Sequence, residues 1–341
     1  MPRKGVLLVN LGSPDSPEVA DVKVYLREFL MDKYVIDMPF LLRKLIIEGF
    51  ILPKRPQKSA EAYKSIWSEK GSPLIATSKS VHRQVKERLD MPLALAMRYG
   101  NPSIQSGLRE LIENENVDDI LLIPLYAVYS LATVKSVDEK TRKVLKRFSK
   151  NVKLTVLPPF YSEESYLDAL AASAQKSLEW DFDHLLFSFH GLPERHLKKA
   201  DPTGGHCLST ENCCDTFSPA HATCYRHQVL HIANELVERL KIPRGKYSVA
   251  FQSRLGVDSW LKPSTTSEIV RLAEHGVKKL AVYCPAFVSD CLETLEEIAI
   301  QGKDIFLEAG GEELRHIPCM NDHPAWIDTL SEFCRRWSEV P

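Results

Sequence analysis

Two stretches of the sequence decide its fold: Ile120–Tyr126, which reads ILLIPLY, and Leu280–Phe287, which reads LAVYCPAF. Each is a short apolar run broken by a proline, and each is followed by a polar loop and a segment with helical spacing. Continuous apolar runs of this length are typical of strands that are buried on both faces of a parallel sheet. Because the pattern occurs once in each half, the sequence predicts two similar α/β lobes.

The same alternation of strand and helix continues along the whole chain. Short runs rich in Val, Ile and Leu predict strands at Val6–Asn10, Leu93–Met97, Ile120–Pro124, Leu154–Pro158, His184–Phe189, Tyr247–Gln252, Lys279–Cys284 and Arg315–Pro318. We therefore predict two doubly wound parallel-sheet lobes, residues 1–160 and 161–341, that face each other across a cleft. In such sheets ligands bind beyond the carboxyl ends of the strands, so those loops should carry the functional residues.

Composition narrows the class of protein. A chain of 341 residues exceeds what one hydrophobic core usually holds, and its 44% apolar and 26% charged residues are typical of a soluble globular protein. A net charge of −1 gives no reason to expect a nucleic-acid partner. The first apolar run is too short for a signal peptide. We therefore expect a cytoplasmic protein in a reducing compartment, where clustered cysteines favour a metal over disulfides.

The segment Val35–Leu52, VIDMPFLLRKLIIEGFIL, is the nearest approach to a membrane span, but it carries Asp37, Arg43, Lys44 and Glu48. A spanning helix needs about 20 predominantly apolar residues. Two interpretations remain open. The segment is either an amphipathic helix packed on the core, or it lies at a membrane surface or rims a hydrophobic pocket.

Two polar features follow strands of the second half. His190 ends an apolar strand and enters a glycine turn in the motif FSFHGLP, and Asp290, Glu293 and Glu297 have the spacing of one helix face in DCLETLEE. An imidazole and a row of carboxylates at strand ends of one lobe suit proton transfer or a divalent cation. The alternative is a structural histidine and carboxylates that stabilise a helix N-terminus. The chain contains no dinucleotide fingerprint, phosphate-binding loop or serine nucleophile elbow.

Five stretches of the chain resemble the ferrochelatase family, in that family's order. They are LLVNLGSP, PKRPQKSAEAYKSIWSEKGSPL, AMRYGNP, FSFHGLP, and QSRLGVDSWLKPST followed by FVSDCLETLEEI. The resemblance implies insertion of Fe²⁺ into a porphyrin, protoporphyrin IX, between two Rossmann-like lobes. It further implies that His190 and Glu293 contact the substrate iron. We assign His190 as the proton acceptor and Glu293 with Glu297 as the path by which protons leave.

The resemblance also implies contacts to the porphyrin ring and its propionates. The matching residues are Asn10, Leu11, Arg55, Tyr63, Ser72, Arg98, Tyr99, Tyr126, Trp260 and Phe287. For Tyr63, Trp260 and Phe287, packing in the core is the alternative. The segment 35–52 then forms a lip of the cleft. Its part from residue 38 to 52 would touch the inner face of the cell membrane, where the oxidase preceding this step in heme synthesis would hand over the porphyrin.

The segment His206–His227, HCLSTENCCDTFSPAHATCYRH, concentrates four cysteines and three histidines. Its C-x5-C-C-x9-C spacing lacks the paired knuckles of structural zinc sites and misses the common ferredoxin spacings. From spacing alone, an iron–sulfur site, a zinc site and an idle loop all remain open. The resemblance to family members with an internal cluster implies a 2Fe–2S cluster within an insertion at residues 200–226. Its ligands would be Cys207, Cys213, Cys214 and Cys224, with His206, His221 and His227 in reserve.

Two other functions remain open from the sequence. A cobalt chelatase of corrin synthesis shares the expected fold, but such enzymes are usually shorter and lack the combination of FSFHGLP and DCLETLEE. A non-catalytic heme- or metal-binding redox protein would show no turnover, and its function would survive replacement of His190.

Overall fold

The computed structural model describes residues 2–149, 151–254 and 258–340. The chain forms two compact units. The first comprises Met1–Tyr126, Leu131–Pro159 and Ile327–Pro341, and the second comprises Ala127–Ser130 and Phe160–Trp326. The units differ from the lobes 1–160 and 161–341 in a four-residue loop and in the C-terminal helix.

The C-terminal helix belongs mainly to the first unit, and two of its polar contacts are made there. Lys4 Nζ donates a hydrogen bond to Ser338 O at 2.9 Å. Arg88 Nε lies 3.3 Å from Asp328 Oδ1. These partners are far away in sequence, so the pattern of apolar residues could not assign this helix to a lobe.

The first unit is built on a four-stranded parallel sheet in the order β2-β1-β3-β4. Its strands are β1 (Lys4–Asn10), β2 (Leu93–Met97), β3 (Asp119–Pro124) and β4 (Lys153–Val156). Every residue of β2 and β3 is buried. Apart from Asp119 at the start of β3, their sequences are apolar, because helices cover both faces of the sheet.

The second unit repeats this arrangement with the parallel order β6-β5-β7-β8. Its strands are β5 (His184–His190), β6 (Tyr247–Gln252), β7 (Lys279–Tyr283) and β8 (Glu313–Ile317). All eight strands overlap the stretches predicted from the sequence, and their bounds differ by two residues at most. The prediction of two doubly wound parallel-sheet lobes is confirmed.

Helices connect the strands in both units. In the first, α1 to α6 span Val19–Leu30, Phe40–Ile46, Arg55–Ile66, Pro73–Lys86, Ile104–Arg109 and Ser136–Leu145, with π-helical turns at Ile47–Ile51, Glu110–Asn114 and Leu131–Lys135. The next helices, α7 to α13, span Glu164–Gln175, Glu194–Ala200, Tyr225–Arg239, Thr265–Glu274, Leu292–Thr294, Lys303–Glu308 and Pro324–Glu339. A π-helix at Leu295–Gly302 joins α11 to α12, and short 3₁₀ turns lie at Lys176–Leu178 and Pro219–Ala222.

Local sequence explains several helix starts. Ser264 caps α10, since its side chain accepts a hydrogen bond from Ser267 N at 3.1 Å. Proline stands at the first position of α4, where its fixed φ suits the helix and no amide hydrogen is needed. These signals place the helices that cover the sheets and leave the strand ends to the connecting loops.

The order of the strands determines where polar residues can gather. In each sheet the chain adds strands first on one side and then on the other, and the change occurs between two neighbouring central strands. These are β1 and β3 in the first unit and β5 and β7 in the second. Loops diverge at such a switch point and leave a crevice beyond the carboxyl ends of the strands. His190 ends β5, and the loop after β7 leads to Glu293.

The segment 35–52 is not an amphipathic core helix, so that interpretation is wrong. Leu41, Leu45 and Phe50 keep 79%, 62% and 69% of their surface exposed, whereas Arg43 is buried. Arg43 Nη1 donates to the carbonyl oxygens of Ile36 and Met38, both at 3.0 Å. Across the described residues, no helix is long and apolar enough to cross a bilayer.

Replacement of Gly12 by alanine tests the close packing at the end of β1. Gly12 has φ +105°, and a Cβ there would lie 1.8 Å from Tyr99 O. We expect Gly12→Ala to cost about 3 kcal/mol or more, because backbone must move to accommodate the methyl group. The midpoint of thermal unfolding should fall by several degrees.

The matched control is Gly49→Ala, where a Cβ meets nothing within 4 Å. Alanine in this helical position should stabilise by about 0.5–1 kcal/mol. Equal midpoints for the two variants would contradict the packing described at Gly12.

Candidate active site

His190 is half-buried at the end of β5, and its ring has a defined orientation. The Nδ1 atom lies 2.6 Å from Gly191 O. Because a carbonyl oxygen only accepts hydrogen bonds, Nδ1 must carry the proton in this contact. The neutral ring therefore has its lone pair on Nε2, the atom that can accept a proton or bind a cation.

The turn that follows His190 is held by backbone contacts. Gly191 N donates to Gln252 O at 2.6 Å, and Tyr225 Oη donates to His190 O at 2.7 Å. A Cβ at Gly191 would lie 2.9 Å from Gln252 O and 3.0 Å from Ser253 O. Only glycine permits this approach, which explains the glycine after His190.

Asp290 does not belong to the carboxylate row, so that part of the predicted helix face is wrong. Helix α11 begins at Leu292, after Asp290. The buried carboxylate of Asp290 accepts hydrogen bonds from Thr294 Oγ1 at 2.9 Å and from Asn321 Nδ2 at 2.6 Å. Asp290 therefore fixes the start of the helix from inside the unit.

Glu293 and Glu297 are both half-buried and are held through the end of β6. Gln252 Nε2 donates to Glu293 O at 2.6 Å, and Ser253 Oγ donates to Glu297 Oε2 at 2.6 Å. Glu297 lies in the π-helix Leu295–Gly302. Such π-helical turns are rare in proteins as a whole, and they occur frequently at functional sites. The sequence pattern, read with α-helical spacing, could not reveal this π-helix.

Of the predicted ring contacts in the second unit, Trp260 lies nearest to the His190 turn. It is half-buried and forms an isolated antiparallel bridge with Pro193, two residues after Gly191. Phe287 packs partly buried against the core of the unit, beside Cys284 and Ile298. Part of the motif that contains Trp260, residues 255–257, lies outside the described residues.

In the first unit, Arg98 and Tyr99 bind a buried carboxylate. Arg98 Nη2 forms an ion pair with Asp32, and its Nε donates to Ser136 Oγ at 2.7 Å. Tyr99 is fully buried and donates to Asp32 Oδ2 at 2.9 Å. Burial raises the pKa of Tyr99 well above its usual value. These contacts hold Arg98 and Tyr99 inside the unit.

The other predicted contacts of the first unit have varied surroundings. Asn10 is buried, donates from Nδ2 to Ser78 Oγ at 3.0 Å and accepts from Leu11 N at 2.8 Å. Tyr63 is buried with its ring edge-on to Tyr25 and Trp67. Of the remaining predicted contacts, Ser72 is buried, Leu11 and Tyr126 are half-buried, and Arg55 is exposed.

The four cysteines of the segment His206–His227 are all buried and carry free thiols. The pKa of Cys224 is lowered, first of all by its contact with the thiol of Cys214. The same contact with Cys224 raises the pKa of Cys214, and burial raises that of Cys207. Cys213 Sγ accepts from Leu208 N at 3.4 Å. Cys207, Cys214 and Cys224 therefore lie close together in the fold, although their spacing in the sequence did not indicate this.

Asp201 organises the start of this segment. Its carboxylate accepts from the backbone nitrogens of Thr203, His206 and Cys207 at 2.8, 2.7 and 2.8 Å. Burial alone would raise the pKa of Asp201, but these hydrogen bonds, that of Cys207 first, hold the pKa well below its usual value. Asp201 is not among the residues predicted from the sequence, although Asp before a Gly-rich turn is a common turn signal.

The three histidines expected as reserve ligands, His206, His221 and His227, contact backbone carbonyl oxygens of the same segment. The Nε2 atoms of His206 and His221 lie 2.7 and 3.3 Å from Cys213 O. His227 Nδ1 lies 2.9 Å from Cys214 O. Within residues 2–149, 151–254 and 258–340, no group of three or more His, Cys, Asp or Glu side chains is arranged to hold one metal ion.

Comparison with known proteins gives the same family over nearly the whole chain. The family model described as Ferrochelatase matches residues 3–337. A ferrochelatase from Azotobacter vinelandii is 53% identical over 333 residues, which cover 97% of this chain and 98% of that protein. One from Pseudomonas fluorescens is 52% identical and covers 97% of both chains.

Solved structures support the fold. SirB from Bacillus subtilis, determined with Fe³⁺, has a TM-score of 0.53 and 13% identity, covering 99% of this chain and 96% of its own. The sirohydrochlorin chelatase SirB from the subspecies spizizenii, determined with cobalt, also has a TM-score of 0.53. At this identity the likeness concerns architecture alone. From the sequence match, the chain belongs to the ferrochelatase family, the porphyrin metal chelatases that insert iron into a porphyrin in heme synthesis.

Proposed function

We propose that this chain inserts Fe²⁺ into protoporphyrin IX and that His190 Nε2 accepts the pyrrole protons. The observation that carries the proposal is the contact of His190 Nδ1 with Gly191 O, which leaves the lone pair of the neutral ring on Nε2. Insertion replaces two pyrrole N–H bonds by bonds to iron and releases two protons without oxidation or reduction. A base near the ring nitrogens therefore addresses the demand of the reaction.

Glu293 and Glu297 form the proposed path for protons away from His190. Both side chains are half-buried, and they lie four residues apart on consecutive helical turns. Carboxylates at this point also attract Fe²⁺, a cation that accepts imidazole and carboxylate ligands. After each transfer through Glu293 and Glu297 to solvent, His190 becomes neutral again and can accept the second proton.

His190→Ala and Glu293→Gln test these roles. We expect each to lower the rate of heme formation from Fe²⁺ and protoporphyrin IX by about 10²–10⁴-fold, the usual contribution of a positioned acid or base. Anaerobic absorption spectroscopy would follow the reaction. The control His275→Ala removes an exposed histidine whose Nδ1 faces its own helix at Arg271 O, and it should keep the wild-type rate. Full activity of His190→Ala would contradict the proposal.

We further propose that Cys207, Cys213, Cys214 and Cys224 hold a 2Fe–2S cluster. Four buried free thiols match the ligand set of such a cluster. Cys207, Cys213, Cys214 and Cys224 would hold the cluster together as thiolates, which is a different demand from three side chains that converge on one ion. When bound, the cluster would supply one-electron redox chemistry. Proton removal from the porphyrin would not require it, since His190 and Glu293 lie on other segments.

Anaerobic purification tests the cluster. We expect about two irons and two acid-labile sulfides per chain, with broad visible charge-transfer bands, because a 2Fe–2S cluster binds through four thiolates. Cys214→Ser should lose the bound iron and sulfide and, with them, the charge-transfer bands. The control Cys334→Ala removes a buried cysteine of α13 and should keep them. Zinc in place of iron, or a featureless spectrum from active protein, would rule the cluster out.

A third proposal is that residues 38–52 contact a lipid surface. The segment exposes a group of large apolar side chains, namely Met38, Phe40, Leu41, Leu42, Leu45 and Phe50. Exposed Lys44, Lys54 and Arg55 accompany them and would suit anionic headgroups. An apolar porphyrin handed over by the preceding oxidase would reach the enzyme at such a surface.

Sedimentation with vesicles tests the membrane contact. We expect the protein to pellet with phosphatidylglycerol vesicles more than with phosphatidylcholine vesicles, and the double variant Leu41→Asp, Phe50→Asp to lose about tenfold or more of the binding, because buried apolar area drives it. The control Val24→Asp changes another exposed apolar residue and should bind as the wild type does. Equal binding by all three proteins would exclude this segment as the contact.

A further inference from the structure

Gln252 is a buried polar residue that the assigned roles do not use. It is 3% exposed at the end of β6, and its register partner on β5 is His190. Its backbone oxygen accepts from Gly191 N at 2.6 Å, and its Nε2 donates to Glu293 O at 2.6 Å. One residue therefore contacts the backbone on both sides of the proposed chemistry.

The orientation of the Gln252 amide is determined by its partners. Glu293 O can only accept, so the NH₂ group must face it. On the other side, Oε1 accepts from Ser188 Oγ at 2.8 Å and from Cys284 Sγ at 3.4 Å. A flipped amide would place two acceptors together at Glu293. The buried amide is thus fixed at both ends, as a rigid spacer requires.

The neighbouring residue extends the same connection. Ser253 has φ +59°, a left-handed conformation that is unusual for a residue other than glycine. Its hydroxyl reaches Glu297 Oε2 at 2.6 Å. Two consecutive residues at the end of β6 therefore contact the two carboxylate-bearing residues of the proposed proton path.

We infer that Gln252 is a positioning residue that sets the placement of Glu293 relative to His190. Its backbone oxygen contacts Gly191 N and its side chain contacts Glu293 O, so it acts on the backbone of both neighbouring segments. Its loss should move the start of α11 relative to the His190 turn. This inference rests on the proposed roles of His190 and Glu293. Small displacements of reacting groups cost rate more than they cost binding of a large flat substrate.

Gln252→Met tests the inference, since methionine keeps the length of the side chain and removes both polar ends. We expect kcat for iron insertion to fall about 10–100-fold, while KM for the porphyrin changes less than about threefold. The matched control is Gln228→Met. Gln228 is fully buried in the same unit and donates to His221 O and Ala222 O, both at 3.0 Å. It should lose thermal stability and keep the wild-type kcat.

The outcomes separate this inference from the proposed function. Full activity of His190→Ala or Glu293→Gln would overturn the proposed roles themselves. Large losses in those variants, together with a folded Gln252→Met whose kcat is within about twofold of wild type, would overturn only the role of Gln252. A rise in KM with unchanged kcat would also overturn it, because Gln252 would then affect substrate binding alone.

Discussion

Burial of both faces of two parallel sheets is the constraint on which the rest of this structure depends. A strand covered on both faces must be apolar along its length, so polar side chains are displaced to its ends. The carboxyl ends of β5 and β7 are adjacent because the two strands pair in parallel, and the loops that follow them diverge at this point in the strand order. His190 and Glu293 therefore reach the same edge of the sheet although about a hundred residues separate them in the sequence.

Backbone hydrogen bonds then give this edge its chemistry. The carbonyl oxygen of Gly191 determines which nitrogen of His190 carries the proton, and that carbonyl is accessible because glycine allows the turn to approach β6 closely. Gln252 connects the same turn to the helix that bears Glu293, because its backbone oxygen accepts from Gly191 N and its side-chain amide donates to Glu293 O. The side chains proposed to react are few, and their placement depends on the backbone of Gly191 and on the contacts of Gln252.

The two other features of the chain show how local sequence can mislead. The segment 35–52 has an amphipathic pattern, yet it buries Arg43 and exposes its leucines and phenylalanines. Its orientation follows from carbonyl groups that Arg43 binds, which periodicity does not encode. The cysteine segment has no recognisable ligand spacing, yet its thiols contact one another in the fold. Distances in sequence do not determine distances in space when a loop is long.

By itself, the sequence determined the architecture and the candidate chemistry. Apolar runs identified all eight strands, and the position of His190 at a strand end indicated a site there. Only the tertiary structure decided that Asp290 supports the helix start while Glu293 and Glu297 remain as the carboxylate pair. It also decided that Gln252 connects Glu293 to the turn after His190. The physical reason is that burial patterns depend on local periodicity, whereas hydrogen bonds between strand ends depend on register, strand order and helical pitch.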